Sequence, residues 1–375
     1  MFDLSRELEH DAVTTVVADV AAALLDPAAR EAEASRAVPE RVWNGLLDIG
    51  LTTPVDVAYG GGGIPDPFTQ LLAIEGLAHG DPGIAAAATW SGNAALLVGA
   101  CGTDAQRHAI LPGFVTDPTR RGSVAMYEGF GRAPSEYTTT ISAEGDGWRI
   151  VGRKVAVPFC AAAESIIVVG VDPSDGRLRA ALVDRSAPGV GVVSDAASGH
   201  IALDAAATAT VVLDTVVGSE QVIGGPDADP ELLARVASRL RLAVAALALG
   251  CASRARSYAC AYASERIAFG RPIAALQGVS FMMADAEMQL DAARLEAWHT
   301  ATTLDDTPIA ELERAVSRAV NYSCAVACAV TRDAIQVLGG HGFIEDHPVE
   351  RWYRAAAALS AVDFDPTCTP FAAAL

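Results

Sequence analysis

The stretch Ser264-Glu265-Arg266-Ile267-Ala268-Phe269-Gly270-Arg271-Pro272 closes a helical pattern that begins near Pro230, and a second stretch, Gln336-Val337-Leu338-Gly339-Gly340-His341-Gly342-Phe343, closes another. Gly270 and Pro272 end the first helix just after Arg266. A guanidinium at that point either stands solvated or grips a diphosphate through two hydrogen bonds at once. In the second stretch, the paired glycines Gly339 and Gly340 either cap the helix or leave backbone amides bare enough for a phosphate to approach.

Working outward, the chain separates into three zones. From Asp3 to about Gly113 the apolar residues recur at helical spacing, as at Val42, Leu46 and Leu47. Between about Arg121 and Val222 the period falls to two. The runs Thr138–Ala143 and Trp148–Val155 flank Glu144-Gly145-Asp146-Gly147, which is a hairpin signal. Ser165–Val171, Leu178–Val183 and Thr208–Leu213 add strands, and no long helical pattern interrupts them, so a small antiparallel sheet is expected rather than βαβ units. After Gly224-Gly225-Pro226-Asp227 the pattern is helical again. The middle of the segment from Pro230 to Arg266 is apolar on all sides, as a helix enclosed by other helices must be. The expectation is an α+β chain with an N-terminal helical domain (1–120), a middle antiparallel β domain (121–225) and a C-terminal four-helix bundle (226–375).

Composition narrows the function. The chain has 375 residues, 51% hydrophobic, and a formal net charge of −19, which argues against a nucleic-acid partner because that affinity comes from clustered Lys and Arg. Seven scattered cysteines without a CxxC pair read as reduced thiols of a cytoplasmic protein. The start lacks a basic segment followed by an apolar one, and the longest uninterrupted apolar run, Leu242–Ala252, is well short of the roughly 20 residues of a bilayer span. No signal peptide and no membrane span are therefore expected. Cys324 and Cys328 share a helix face without a third ligand nearby, so no metal site is expected. The glycines of Tyr59-Gly60-Gly61-Gly62-Gly63 precede Pro65 and Pro67 and bring no lysine, which favours a plain loop over a phosphate cradle.

With the order helical, β, helical and these motifs in place, the chain resembles the acyl-CoA dehydrogenase family over essentially its whole length. The entry Leu46–Gly63, the turn Gln277-Gly278-Val279-Ser280 and the late helix Pro348-Val349-Glu350-Arg351-Trp352-Tyr353-Arg354 carry the likeness beyond the opening motifs. The resemblance implies FAD as cofactor, with Arg266, Phe269, Gln277, Gln336, Gly339 and Gly340 at the positions that hold the diphosphate and adenosine part of a flavin lying mainly in a neighbouring subunit. It implies an acyl-CoA substrate, with Arg241 as a candidate substrate contact, and an electron-transfer flavoprotein or similar acceptor. It also implies a homo-oligomer, or a heteromer with a second chain of the same type.

The flavin end departs from the family pattern. Where the family has Thr-Glu-Pro-x-x-Gly-Ser, this chain has Tyr127-Glu128-Gly129-Phe130-Gly131-Arg132-Ala133, and where it has Trp-Ile-Thr, this chain has Ala156-Val157-Pro158. Alanine cannot stack on a ring, and proline has no amide hydrogen to offer one. The α-proton base of the family counts to Asp363, one methylene short of a glutamate, and the alternative base position on the long helix is Leu240. Four readings stay open: a dehydrogenase desaturating an acyl thioester with Asp363 as base, a non-catalytic partner subunit, a flavin-free binding protein, and a flavin monooxygenase of the same architecture.

Overall fold

A computed structural model describes residues 8–48, 50, 52–117, 121–129, 136–194 and 201–362. The N-terminal region is helical: α1 (Leu8–Val20) runs through a π turn (Ala21–Leu25) into α2 (Asp26–Ser35), followed by α3 (Glu40–Asp48), α4 (Pro67–Gly80), α5 (Pro82–Cys101) and α6 (Asp104–Thr116). Short polar residues start these helices. Asp66 accepts from Phe68 and Thr69 at the head of α4, Asp81 accepts from Ile84 at the head of α5, and Thr103 and Gln106 form a reciprocal capping box on α6.

The middle of the chain is one curled sheet of β1 (Gly122–Ala125), β2 (Thr140–Glu144), β3 (Gly147–Val157), β4 (Ser165–Val171), β5 (Leu178–Asp184), β6 (Val190–Ser194) and β7 (Ala209–Gly218). The expected hairpin is present, with Gly145 at positive φ in the turn between β2 and β3. The sheet is mixed rather than purely antiparallel. β1 runs parallel to β4 from Gly122↔Ser165 to Ala125↔Val168, and a single parallel bridge, Thr140↔Val171, joins β2 to β4. The parallel pairing arises because β1 enters directly from the helical region, not through a hairpin. The periodicity argument had not resolved either β1 or β6 as strands; both are short.

The C-terminal region is a bundle of α7 (Pro230–Glu265), α8 (Gln277–Thr302), α9 (Ile309–Leu338) and α10 (Val349–Leu359), with a two-stranded hairpin of β8 (Ile267–Ala268) and β9 (Arg271–Pro272) between α7 and α8. α7 is the centre of the molecule, packed against α4, α5, α8, α9 and α10. Every residue from Leu240 to Ala252 is buried, which is the enclosure its apolar middle required. Such an enclosure needs small contact residues. A Cβ added to Gly250 would stand 2.2 Å from the Glu75 carbonyl oxygen of α4, and one added to Gly80 would meet the backbone before α2 at 2.9 Å.

Two segments, Glu9–Ser35 and Pro82–Cys101, are long and apolar enough to cross a bilayer, which the search for uninterrupted apolar runs had passed over. The second is a core helix, 78% buried, between α4, α7 and the sheet. The six cysteines among the described residues are free thiols.

The Gly250 contact gives a direct test. Gly250→Ala forces α4 and α7 apart, and urea unfolding should show a loss of about 1–3 kcal/mol. An unchanged midpoint would mean the two helices do not depend on that approach.

Candidate flavin and substrate site

The expected centre of chemistry lies where α5, β1, the end of β3 and α7 meet. Trp90 and Asn93 reach it from α5, Tyr127 from beyond β1, Pro158 from beyond β3, and Leu240 from α7. Val362 closes it from the C-terminal side. What these side chains enclose is a space of about 30 Å³. That is roughly room for one water, whereas small-molecule sites run to about 300–1,000 Å³. Trp90 is 2% exposed and Leu240 3%, so the volume a ring or an acyl chain would need is taken by this chain's own side chains.

The backbone leading to Pro158 is irregular and held in place. The register of β3 against β7 shifts between Lys154 and Val157, and within that bulge Ala156 adopts a left-handed conformation with φ 48°. Ser123 donates to the Pro158 carbonyl at 2.6 Å, and the Phe159 amide donates to the Ala206 carbonyl at 2.9 Å. Phe159, the aromatic nearest to the missing stacking residue, points into the core and stacks on Trp43 with ring centroids 5.7 Å apart. The Arg121 guanidinium lies 4.1 Å from the Trp43 ring.

Glu128, the one residue securely kept from the family's first flavin segment, is a fastening inside the β domain. Its carboxylate accepts from the Thr138 amide and hydroxyl, from the Thr139 amide, and from Lys154 Nζ at 3.0 Å. Burial pushes this carboxyl up, but those bonds and the lysine charge outweigh it and hold it well below the usual range. Lys154 is fully buried, donates to the Met126 carbonyl as well, and lies 4.0 Å from the Tyr137 ring. Burial lowers its pKa to about 8, against the raising effect of Glu128.

Arg241, the candidate substrate contact, is buried and donates to Ser317 of α9 at 3.0 Å. It borders the same small space but spends that hydrogen bond within the bundle. Asp363 lies outside the described residues. Its neighbour Val362 brings the chain to the wall of the space.

The opposite end of the site is open. Arg266 caps α7, and its guanidinium has no hydrogen-bond or ion-pair partner among the described residues. The β8–β9 hairpin presents Phe269 at 92% exposure, with Phe269 and Gly270 both at positive φ as a tight turn requires. Gln277 opens α8 and Gln336 closes α9, both exposed. Gly339 has φ 58° and ψ −129°, a conformation glycine tolerates far better than other residues, and a Cβ on Gly339 or Gly340 would meet no atom within 4 Å. These glycines therefore serve the exposed backbone and not close packing.

An aromatic ladder ties the two motifs together. Tyr258 and Tyr262, one turn apart on α7, bond the Nδ1 atoms of His347 and His341 at 2.8 Å each, and the two imidazoles stack 5.3 Å apart. The structure thus brings all six candidate cofactor residues to one exposed end of the bundle. Sequence reading missed the ladder, whose signal was the i, i+4 tyrosines. It also missed Trp90 and Asn93, which only the packing of α5 reveals.

A helical region, a curled mixed sheet and a four-helix bundle, in that order, are the architecture of a family of flavoproteins that the chain matches in sequence as well. Residues 7–117 match the family model for the acyl-CoA dehydrogenase N-terminal domain, and residues 233–363 match that for the C-terminal domain. The chain belongs to the acyl-CoA dehydrogenase family. It is 28% identical over 364 residues to a 3-(aryl)acrylate reductase of Clostridium sporogenes, covering 94% of each. It is 29% identical over 324 residues to the short-chain specific acyl-CoA dehydrogenase of Megasphaera elsdenii, covering 83% of this chain and 82% of that one. The solved butyryl-CoA dehydrogenase of Megasphaera elsdenii superposes with a TM-score of 0.83 at 25% identity, over 97% of this chain and 96% of that one. FAD is the cofactor this membership assigns. The open end leaves the Arg266 guanidinium and the Gly339-Gly340 backbone available to a diphosphate, and the space beside Trp90 and Leu240, about 30 Å³, is smaller than a flavin ring.

Glu128→Gln removes the charge that compensates Lys154 in the interior. Urea unfolding near neutral pH should show a loss of about 3–5 kcal/mol, the usual cost of leaving a buried charge unpaired. Because the Glu128 pKa is lowered on folding, its contribution is present above the ordinary carboxylate range and lost as the pH falls below it. The wild type and the variant should therefore converge in acid, and parallel stability profiles would contradict the pairing.

Proposed function

We propose that this chain is a subunit of an acyl-CoA-desaturating flavoprotein, contributing the diphosphate-facing part of an FAD site whose ring wall, base and acyl pocket come from a second acyl-CoA dehydrogenase-type chain. The observation that carries this reading is the contrast between the two ends. The open end, with Arg266, Gly339 and Gly340, offers an unpaired guanidinium and bare backbone. The closed end is filled by Trp90, Tyr127 and Leu240.

The reaction removes a proton from the α-carbon of the acyl thioester while a hydride leaves the β-carbon, and FAD, when bound, takes up that hydride. Arg266 would hold the diphosphate and neutralise its charge, which is positioning work at a distance from the chemistry. Leu240 offers no base. An electron-transfer flavoprotein or similar acceptor would then reoxidise the assembly.

A second reading rests on Val362, which borders the closed space one residue before Asp363. If the terminal segment and α5 repacked together, Asp363 would reach an acyl α-carbon and the chain would act as a homo-oligomeric dehydrogenase. Asp363→Asn would then abolish acyl-CoA-dependent flavin reduction.

Absorbance at about 450 nm tests the first reading. The chain purified alone should be colourless, and co-expression with a related chain that retains the flavin wall and a glutamate base should give a yellow complex. Arg266→Ala should lower the FAD content of that complex at least tenfold without lowering this chain's own melting temperature. A stoichiometric yellow homomer that an acyl-CoA bleaches would overturn the proposal.

A further inference from the structure

A second cleft, of about 500 Å³, lies away from the flavin end, between the π turn, α4, α7 and α8. It forms because the helices there change spacing abruptly. Gly76, Gly80 and Gly250 hold α1, α4 and α7 in close contact, with added Cβ atoms meeting Val17, Ala21 and the Glu75 carbonyl at under 3 Å. The π turn Ala21–Leu25 breaks the α-helical path beside them, and alanine at 18 and 22 leaves the opening unfilled. π turns of this kind recur at functional positions.

The charges around the cleft cancel in pairs. Arg254 bonds Asp26 at 2.8 Å and Arg294 bonds Glu75 at 2.8 Å, so an ionic ligand would find no unanswered counter-charge. Four polar groups on the lining residues have no hydrogen-bond partner among the described residues, the His79 imidazole, the Ser253 hydroxyl, and the buried Trp298 Nε1 and Arg254 Nε. Ser253 differs in this from Ser264 on the same helix, whose hydroxyl bonds the carbonyl of Cys260. Burial first, and then the Arg254 charge, lower the His79 pKa, so near neutral pH the ring is uncharged and both donates and accepts. Leu72 and the ring of Trp298 supply apolar wall.

We propose that this cleft binds a neutral small molecule, apolar over most of its surface and one or two rings in size, through a single hydroxyl or amide that bonds His79 and Ser253. The volume lies within the range of small-molecule sites, and with its four charged side chains paired to one another the cleft offers apolar wall and a small set of neutral polar groups. The proposal is independent of the flavin reading, because none of these residues belongs to the open or the closed end of that site.

The test is titration of the full chain with 2-naphthol, neutral at pH 7, and with 2-naphthoate, the same ring carrying a charge, followed by calorimetry and ligand-detected NMR. One saturable 2-naphthol site per chain is expected, with 2-naphthoate at least tenfold weaker. Ala22→Leu, at an exposed position that should fold normally, and Ser253→Leu should each weaken 2-naphthol at least tenfold, and His79→Leu at least threefold, with melting curves confirming folded protein. Absence of saturable binding, equal affinity for the two probes, or unchanged affinity in folded Ala22→Leu and Ser253→Leu variants would each overturn the assignment.

Discussion

The enclosure of α7 is the constraint on which the rest of the structure depends. A helix buried on every side from Leu240 to Ala252 must be met by partners that approach its backbone closely, and Gly250 against the Glu75 carbonyl shows how closely α4 does so. Once α4, α5, α9 and α10 are seated on it, few degrees of freedom remain. The first half of α7 faces the sheet domain and the second half faces the turn that follows α9. The two ends of the candidate cofactor site therefore sit on one rigid rod. Burial of the middle of α7 supplies the stability, since each fully buried Leu or Val contributes about 1.5–3 kcal/mol.

That rigidity explains why one end could close while the other stayed open. The closed end is lined from α5, β1, the residue after β3 and α7, elements that pack on one another for their own stability. A large side chain such as Trp90 placed there gains buried area at once, because nothing in the fold needs the space. At the open end the opposite holds. Arg266, Phe269 and Gln336 touch little within their own chain, so burial inside this chain gives them no reason to be what they are. A guanidinium without a partner among the described residues, a phenylalanine at 92% exposure and glycines with free space around them are what the proposed outside partner would account for.

Much of this was legible in the sequence, and the limits have physical causes. The order helical, β, helical could be read because hydrophobic periodicity switches from 3.6 to 2 and back, and the Gly145-Asp146 turn announced its hairpin. The parallel pairing of β1 could not, because four residues show no period and a partner's direction is a tertiary fact. Among the candidate site residues, Arg266 and the Gly339-Gly340 pair stood out in the sequence because helix ends and glycines carry local signals. Ala156 and Pro158 were readable as losses. Their consequence was not, since the closing of the space is done by Trp90, Asn93 and Val362, and no spacing rule links α5 to residue 362.

Glu128 shows how a retained residue can change its work. In sequence it is the surviving glutamate of a flavin-facing segment; in the structure its carboxylate is saturated by Thr138, Thr139 and Lys154. A carboxylate with that many donors has no lone pair to spare for a ligand. Lys154 in turn is wholly enclosed and relies on Glu128 for its charge, so neither can be lost alone without leaving the other stranded in a medium of low polarity. The pair persists for the fold of the β domain. Its persistence therefore says nothing about flavin chemistry, and the proposed cofactor role of this chain belongs to the open end, where no partner among the described residues explains the side chains present.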